Sequence, residues 1–225
     1  MSKYENIAYF LINKAINIVI TSSIVIMFLL GGYCFYMQER KLDQAGAGYL
    51  GYTMEELGAV GWMTIDHTNI NYPIMQGKDN AEYLNKNPLG QFSLSGSIFL
   101  DASASPDFTD PYSVIYGHHM DKGKMFGALD DYKDFHYLKT HAKGKLKTRK
   151  TTLKLQIITC IEADGTDQNI FDGSSHHNTA SILQVIDANK KNGVMPFDRS
   201  DRIVALATCN DVKSTKRIIV FASIH

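Results

Sequence analysis

Cys209, His118 and Arg217 are the side chains of this sequence that together could carry acyl transfer through a thioester. Cys209 closes the apolar run Ile203-Val204-Ala205-Leu206-Ala207-Thr208-Cys209, and Arg217 opens a second, Arg217-Ile218-Ile219-Val220-Phe221-Ala222. A third run, Ser113-Val114-Ile115-Tyr116, ends in Gly117-His118. A thiolate supplies the nucleophile, an imidazole moves protons, and a guanidinium can donate to an oxyanion. A cysteine in apolar sequence is usually an inert buried thiol, but polar Asn210-Asp211 brings this one nearer solvent. A nearby Arg217 would favour the thiolate. If the two apolar runs pair as a hairpin, positions 209 and 217 flank its open mouth. The plainer alternative for Arg217 is a surface strand cation paired with Asp211.

The remaining histidines and cysteines point elsewhere. His118 and His119 are adjacent, so in extended chain they face opposite ways and cannot easily share an ion. No Cys-x-x-Cys or His-Glu-x-x-His spacing occurs, and neither metal nor cofactor is expected. His176-His177 lies in a Gly/Ser/Asn-rich stretch and reads as a solvated loop. Three cysteines make no disulfide framework. A Cys160–Cys209 bridge is the alternative to a free thiol, and it would remove the nucleophile.

The elements that must hold these residues are short strands. From Val60 onward, apolar runs alternate with Gly, Pro, Asn and Asp: Val60–Ile65, Tyr72–Gln76, Ser97–Leu100, Tyr112–Tyr116, Lys145–Leu146, Thr152–Glu162, Ile203–Thr208 and Arg217–Ile224. Many short strands with turn signals indicate a β-barrel or sandwich. Leu153, Leu155 and Ile157 alternate with Lys154 and Gln156, the pattern of a half-buried strand. Helical inserts are expected at Met125–Leu138, at Asp79–Asn85, and most clearly at Thr179–Asn192. In the last, Ile182, Val185 and Ile186 share a face and Gly193 is the expected C-cap.

The N-terminal part differs in kind. No charged residue occurs from Ala15 to Met37. A helix of that length measures about 34 Å, enough for a hydrocarbon core of about 30 Å. Tyr33, Phe35 and Tyr36 supply an aromatic belt at one end. The run is long for a signal peptide, and no small-residue cleavage site follows closely, so a retained anchor is expected. Lys3 and Lys14 on one side balance Arg40 and Lys41 on the other, and charge alone does not orient it. Thr53 and Glu56 could form a capping box in a juxtamembrane helix. The expected organisation is a short N-terminal segment at 1–14, a transmembrane anchor at 15–37, a juxtamembrane helical segment at 38–58 and a catalytic domain at 59–225. A net charge of zero gives no basic footprint for nucleic acid.

An ordered set of motifs in the soluble part resembles the class B sortases, membrane-anchored cysteine transpeptidases of Gram-positive bacteria. It runs through Gly61-Trp62-Met63-Thr64-Ile65, Ile70-Asn71-Tyr72-Pro73-Ile74-Met75-Gln76, Asp79-Asn80-x-x-Tyr83-Leu84 and Gly96-Ser97-Ile98-Phe99-Leu100-Asp101. Ile115-Tyr116-Gly117-His118-His119-Met120 with Met125-Phe126, then Leu206-Ala207-Thr208-Cys209 and Arg217, complete it. The helix at Thr179–Asn192 matches the insertion that separates class B from class A. Ala205 and Ala207 depart from the family's Thr-Leu-Ser-Thr-Cys pattern, which removes two hydroxyls near the nucleophile.

The resemblance implies a closed β-barrel of about eight strands with short helical inserts, and an extracellular catalytic domain on a single-pass anchor. It implies Cys209 as nucleophile, His118 rather than His119 as acid and base, and Arg217 at the oxyanion. Asp211 would orient Arg217 or the histidine, and Thr208 and Tyr116 are candidate supporting residues. The implied substrates are secreted proteins with an LPXTG-like or NPXTX-like C-terminal sorting signal, cleaved after threonine. The implied acceptor is a peptidoglycan amine. A cell-wall thiol hydrolase with the same Cys/His pair, and a non-catalytic tethered binding domain, are the rival classes.

Overall fold

The structure is a computed structural model and describes residues 3–44, 49, 51–172, 179–190, 193–208 and 215–225. The chain divides into two compact units, Met1–Leu42 and Asp43–His225.

The first unit is helical. Helix α1 covers Lys3–Gln44, so it continues beyond the uncharged run at both ends. Its segment Ile7–Met37, 31 residues with a mean hydropathy of 2.2, is long and apolar enough to cross a membrane. Large apolar side chains such as Ile18, Phe28 and Leu29 are exposed all round it. A helix apolar on every face, with those side chains exposed, suits lipid better than water. Three of its hydroxyls need no water either: Thr21, Ser22 and Ser23 donate to the carbonyls of Asn17, Ile18 and Val19 one turn back.

The second unit opens with α2, Met54–Leu57. Its capping box forms as the sequence predicts: Glu56 N–H donates to Thr53 Oγ1 (3.2 Å), and Thr53 N–H donates to Glu56 Oε2 (2.7 Å). Gly58, at φ 67°, ends the helix in the left-handed region that favours glycine. Met54 and Leu57 are buried, each contributing about 1.5–3 kcal/mol.

Eight strands follow: β1 Gly61–Ile65, β2 Asn71–Gln76, β3 Ile98–Leu100, β4 Tyr112–Gly117, β5 Lys143–Thr148, β6 Thr152–Asp164, β7 Arg202–Thr208 and β8 Lys216–Ile224. Each lies within a few residues of its sequence expectation. They close into a barrel in the order β1-β2-β3-β4-β7-β8-β6-β5. The pairs β2–β3 and β4–β7 are parallel, and the rest are antiparallel.

The apolar pattern explains which strands are covered twice. Inward residues such as Met63, Ile74, Leu100, Ile115, Leu146, Leu155, Leu206 and Val220 fill the lumen. A second cluster lies outside the barrel, where Val114, Tyr116, Ile203, Ala205, Ala207, Ile219 and Phe221 pack with Ile170, Ile182 and Ile186 of the helical inserts. Strands β4, β7 and β8 are therefore buried on both faces, which is why they read as unbroken apolar runs. By contrast β5 alternates, with Lys143, Lys145 and Lys147 exposed. In β6 the alternation holds to Ile157 and shifts register between Ile157 and Thr159.

The helical inserts correct the sequence reading in detail. The stretch expected as one helix at Met125–Leu138 is a 3₁₀ segment, Phe126–Lys133, followed by α3, Phe135–Thr140. Asp134 breaks it, because its side chain accepts the His136 N–H at 2.8 Å and caps α3 anew. Asp79–Asn85 is a turn, since Asp79 Oδ1 takes the N–H groups of both Ala81 and Glu82. Between β6 and β7 stand α4, Gln168–Phe171, and α5, Ala180–Ala188. Asn189, not Gly193, caps α5, its Nδ2 donating back to the Val185 carbonyl. Gly193, at φ 90°, is needed instead for close approach, since a Cβ there would overlap the Phe135 ring.

Candidate active site

His118 stands one residue beyond the end of β4, and Arg217 is the second residue of β8. The strand between them is β7. It pairs in parallel with β4, register Gly117↔Thr208, and antiparallel with β8, register Ala207↔Ile219. His118 and Arg217 line one cleft of about 400 Å³ together with Tyr116, Phe171, Asn80 and Leu84. Cys209 follows Thr208 directly in sequence, but Cys209 and Asp211 lie outside the described residues, as does the pair His176-His177.

His118 is half-buried, and its Nε2 lies 2.7 Å from the Leu84 carbonyl oxygen. A carbonyl can only accept, so Nε2 carries the hydrogen and donates it. That leaves Nδ1 as the nitrogen available for proton exchange. Leu84 reaches this position because the chain doubles back tightly at Gly96, at φ 56°, where a Cβ would overlap the Leu84 and Tyr83 carbonyl oxygens.

His119 faces the other way. It is exposed, and its Nε2 lies 2.6 Å from Asp130 Oδ2. Lys133 continues this chain at 3.4 Å from Asp130 and 2.8 Å from Glu162. Such exposed pairs contribute about 0–1 kcal/mol.

Gly117 precedes His118 for a steric reason. A Cβ there would overlap Ile98 Cδ1 and the Phe126 ring. Gly117→Ala is therefore expected to destabilise the fold by about 1–3 kcal/mol. At roughly 2–4 °C per kcal/mol for a chain of this size, calorimetry would register the loss. An unchanged melting temperature would show that the Phe126 ring moves aside freely.

Arg217 is half-buried, with its guanidinium carbon 4.8 Å from the centre of the Phe171 ring. This is cation–π range, and it places the guanidinium over an aromatic face. Phe171 stacks in turn on Tyr116, with ring centres 6.3 Å apart. Tyr116 is buried and donates its hydroxyl to Asp101 Oδ2 at 3.0 Å. Thr208 is buried too, and its hydroxyl accepts the Ile218 N–H at 3.0 Å, tying the end of β7 to β8 beside Arg217. Ala205 and Ala207, the two departures from the family pattern, are fully buried in the outer cluster.

The tertiary structure adds residues that spacing did not single out. Phe171 sits in the polar stretch Gln168-Asn169-Ile170-Phe171 with no periodic signal. Leu84 acts through its backbone oxygen, which side-chain chemistry cannot reveal. Cys160 projects into the barrel interior, where burial pushes its thiol up to about 12. It is protonated and enclosed at neutral pH, so alkylating reagents are expected to spare it in the folded chain; rapid modification at pH 7.5 would contradict this burial.

A sortase-domain family model matches residues 63–225. Sortase B of Staphylococcus aureus is 32% identical over 171 residues, 73% of this chain and 69% of that protein. Among solved structures, a class B sortase of Streptococcus pyogenes involved in pilus biogenesis superposes with a TM-score of 0.66 at 33% identity, covering 78% of this chain and 99% of that one. The sortase B–substrate complex of Staphylococcus aureus gives a TM-score of 0.65 at 28% identity, over 84% of this chain and 94% of that one.

Proposed function

This chain belongs to the sortase family, in its class B, and from that premise we propose that it cleaves sorting signals after threonine and joins the product to a peptidoglycan amine. The observation that carries the reading is one cleft lined by His118 and Arg217. It sits beside parallel strands whose partnered last residues, Gly117 and Thr208, immediately precede His118 and Cys209 in sequence.

In the proposed first step the Cys209 thiolate attacks the threonine carbonyl carbon, forming a C–S bond. Electrons move to the carbonyl oxygen, where the Arg217 guanidinium donates to the oxyanion. As the oxyanion collapses the C–N bond breaks, and His118 gives its proton to the leaving amine. In the second step the acceptor amine attacks the thioester and passes a proton to His118, and the C–S bond breaks to restore the thiolate. With Nε2 held by the Leu84 carbonyl, proton traffic goes through Nδ1. Asp211, two residues past the nucleophile, would orient Arg217 or His118.

Anchoring fits this chemistry. A span within α1, at 15–37, with the catalytic domain at 59–225 outside the cell, keeps the enzyme where secreted substrates emerge. Tethering both to one membrane raises their effective concentration.

The test is incubation of the full chain, in detergent micelles, with peptides of the Leu-Pro-x-Thr-Gly, Ser-Pro-x-Thr-Gly and Asn-Pro-x-Thr-Asn types, with and without a diamine. Mass spectrometry should find cleavage after threonine and amine-captured product. Cleavage indifferent to amine would mean a hydrolase. Arg217→Lys should lower kcat about 10²–10³-fold, or about 2.7–4 kcal/mol, because lysine lacks the planar fork. A Lys variant within a few-fold of wild type would remove Arg217 from the oxyanion.

A further inference from the structure

Asp101 is a carboxylate buried beneath the cleft, only 4% exposed, one residue past β3. Burial of a charged group is costly unless each oxygen is well supplied with donors. Here Oδ1 accepts the Ser103 N–H at 2.9 Å and the Ser103 hydroxyl at 2.6 Å. Oδ2 accepts Asn80 Nδ2 at 2.8 Å and the Tyr116 hydroxyl at 3.0 Å. The backbone of Asp101 is pinned as well, donating to the Val114 carbonyl and accepting from Gln76 Nε2. Two of the four donors, Asn80 and Tyr116, line the cleft that holds His118 and Arg217.

The consequence is sharpest at Asn80. Its Oδ1 accepts the Ala102 N–H at 2.8 Å, while its Nδ2 donates to Asp101. A backbone N–H can only donate and a carboxylate can only accept, so the amide has one permitted orientation. One Nδ2 hydrogen remains for whatever occupies the cleft. Reversing the amide would set donor against donor at Ala102 and acceptor against acceptor at Asp101.

We infer that Asp101 is a positioning residue for the transfer reaction, which fixes Asn80 as a hydrogen-bond donor toward a backbone carbonyl of the bound peptide. This rests on the transpeptidase reading given above. Asp101 touches neither substrate nor nucleophile in this role, and acts through the Asn80 amide.

The test uses the full chain in detergent micelles and measures kcat and KM with the most active sorting peptide. Asn80→Ala and Asp101→Asn should each raise KM about tenfold, the usual worth of one hydrogen bond to a well-placed donor, with kcat within about twofold. The double variant should match Asn80→Ala alone within about twofold, because the second change removes nothing further. Multiplied losses of about a hundredfold, or an unchanged KM in either single variant, would overturn the inference and leave Asp101 a purely structural group. A readout independent of turnover is the Asn80 side-chain amide pair in an asparagine-labelled NMR spectrum. It should be dispersed and protected in wild type, and averaged in Asp101→Asn. An unchanged pair would also overturn the inference.

Should wild type turn over no peptide, the function reading falls, and the NMR arm alone decides the positioning claim. Should Asp101→Asn not fold, Asn80→Asp takes its place, since it sets a carboxylate against Asp101 where the donor stood. An unchanged KM there would again overturn the inference.

Discussion

Cys209→Ala is expected to abolish turnover of every sorting peptide and to leave no covalent adduct on the chain. Removing the nucleophile of a covalent mechanism leaves only binding and oxyanion stabilisation, a loss of about 10⁴–10⁶ in rate. No other thiol of the soluble unit can substitute. Cys160 lies in the barrel interior with its thiol pushed up to about 12, so its thiolate is scarce and enclosed. The full chain also carries Cys34 in α1, and tryptic mass mapping of an acyl adduct would distinguish it from Cys209. Residual turnover above about 1% of wild type in the alanine variant would sink the assignment.

His118→Ala is the second large effect, expected at about 10²–10⁴-fold in kcat for loss of one acid–base group. Both half-reactions need a proton moved, so acylation and amine capture should slow together, which single-turnover measurements would separate. The contrast with His119→Ala is what makes the result specific. His119 faces Asp130 on the exposed surface and lines no part of the cleft, so its removal should keep activity within about twofold. Equal losses in the two variants would mean that the pair acts together or that the wrong imidazole has been chosen. Added imidazole should partly restore His118→Ala, whose cavity opens onto the cleft, without affecting wild type.

The strands were legible because their patterns are local. Strand β5 alternates lysine with buried residues, and β4, β7 and β8 are continuous apolar runs because they are covered on both faces. The inserts were less legible because side-chain competition decided them. Asp134 and Asp79 each captured backbone N–H groups that a helix would have used, and Asn189 ended α5 before Gly193. Phe171 beneath Arg217 and the Leu84 carbonyl on His118 had no sequence signal, since one is a contact across elements and the other a backbone atom.

By itself the sequence determined the residue types able to do thioester chemistry, the strand ends that carry them, and an apolar helix fit for a membrane. These follow from side-chain chemistry and from periods of two or 3.6 residues, which are properties of neighbours in the chain. Only the tertiary structure decided that β4 and β7 run parallel with Gly117 beside Thr208, and that a buried Asp101 stands behind the cleft wall. Those arrangements come from closing eight strands into one barrel, where packing between residues remote in sequence selects a single register.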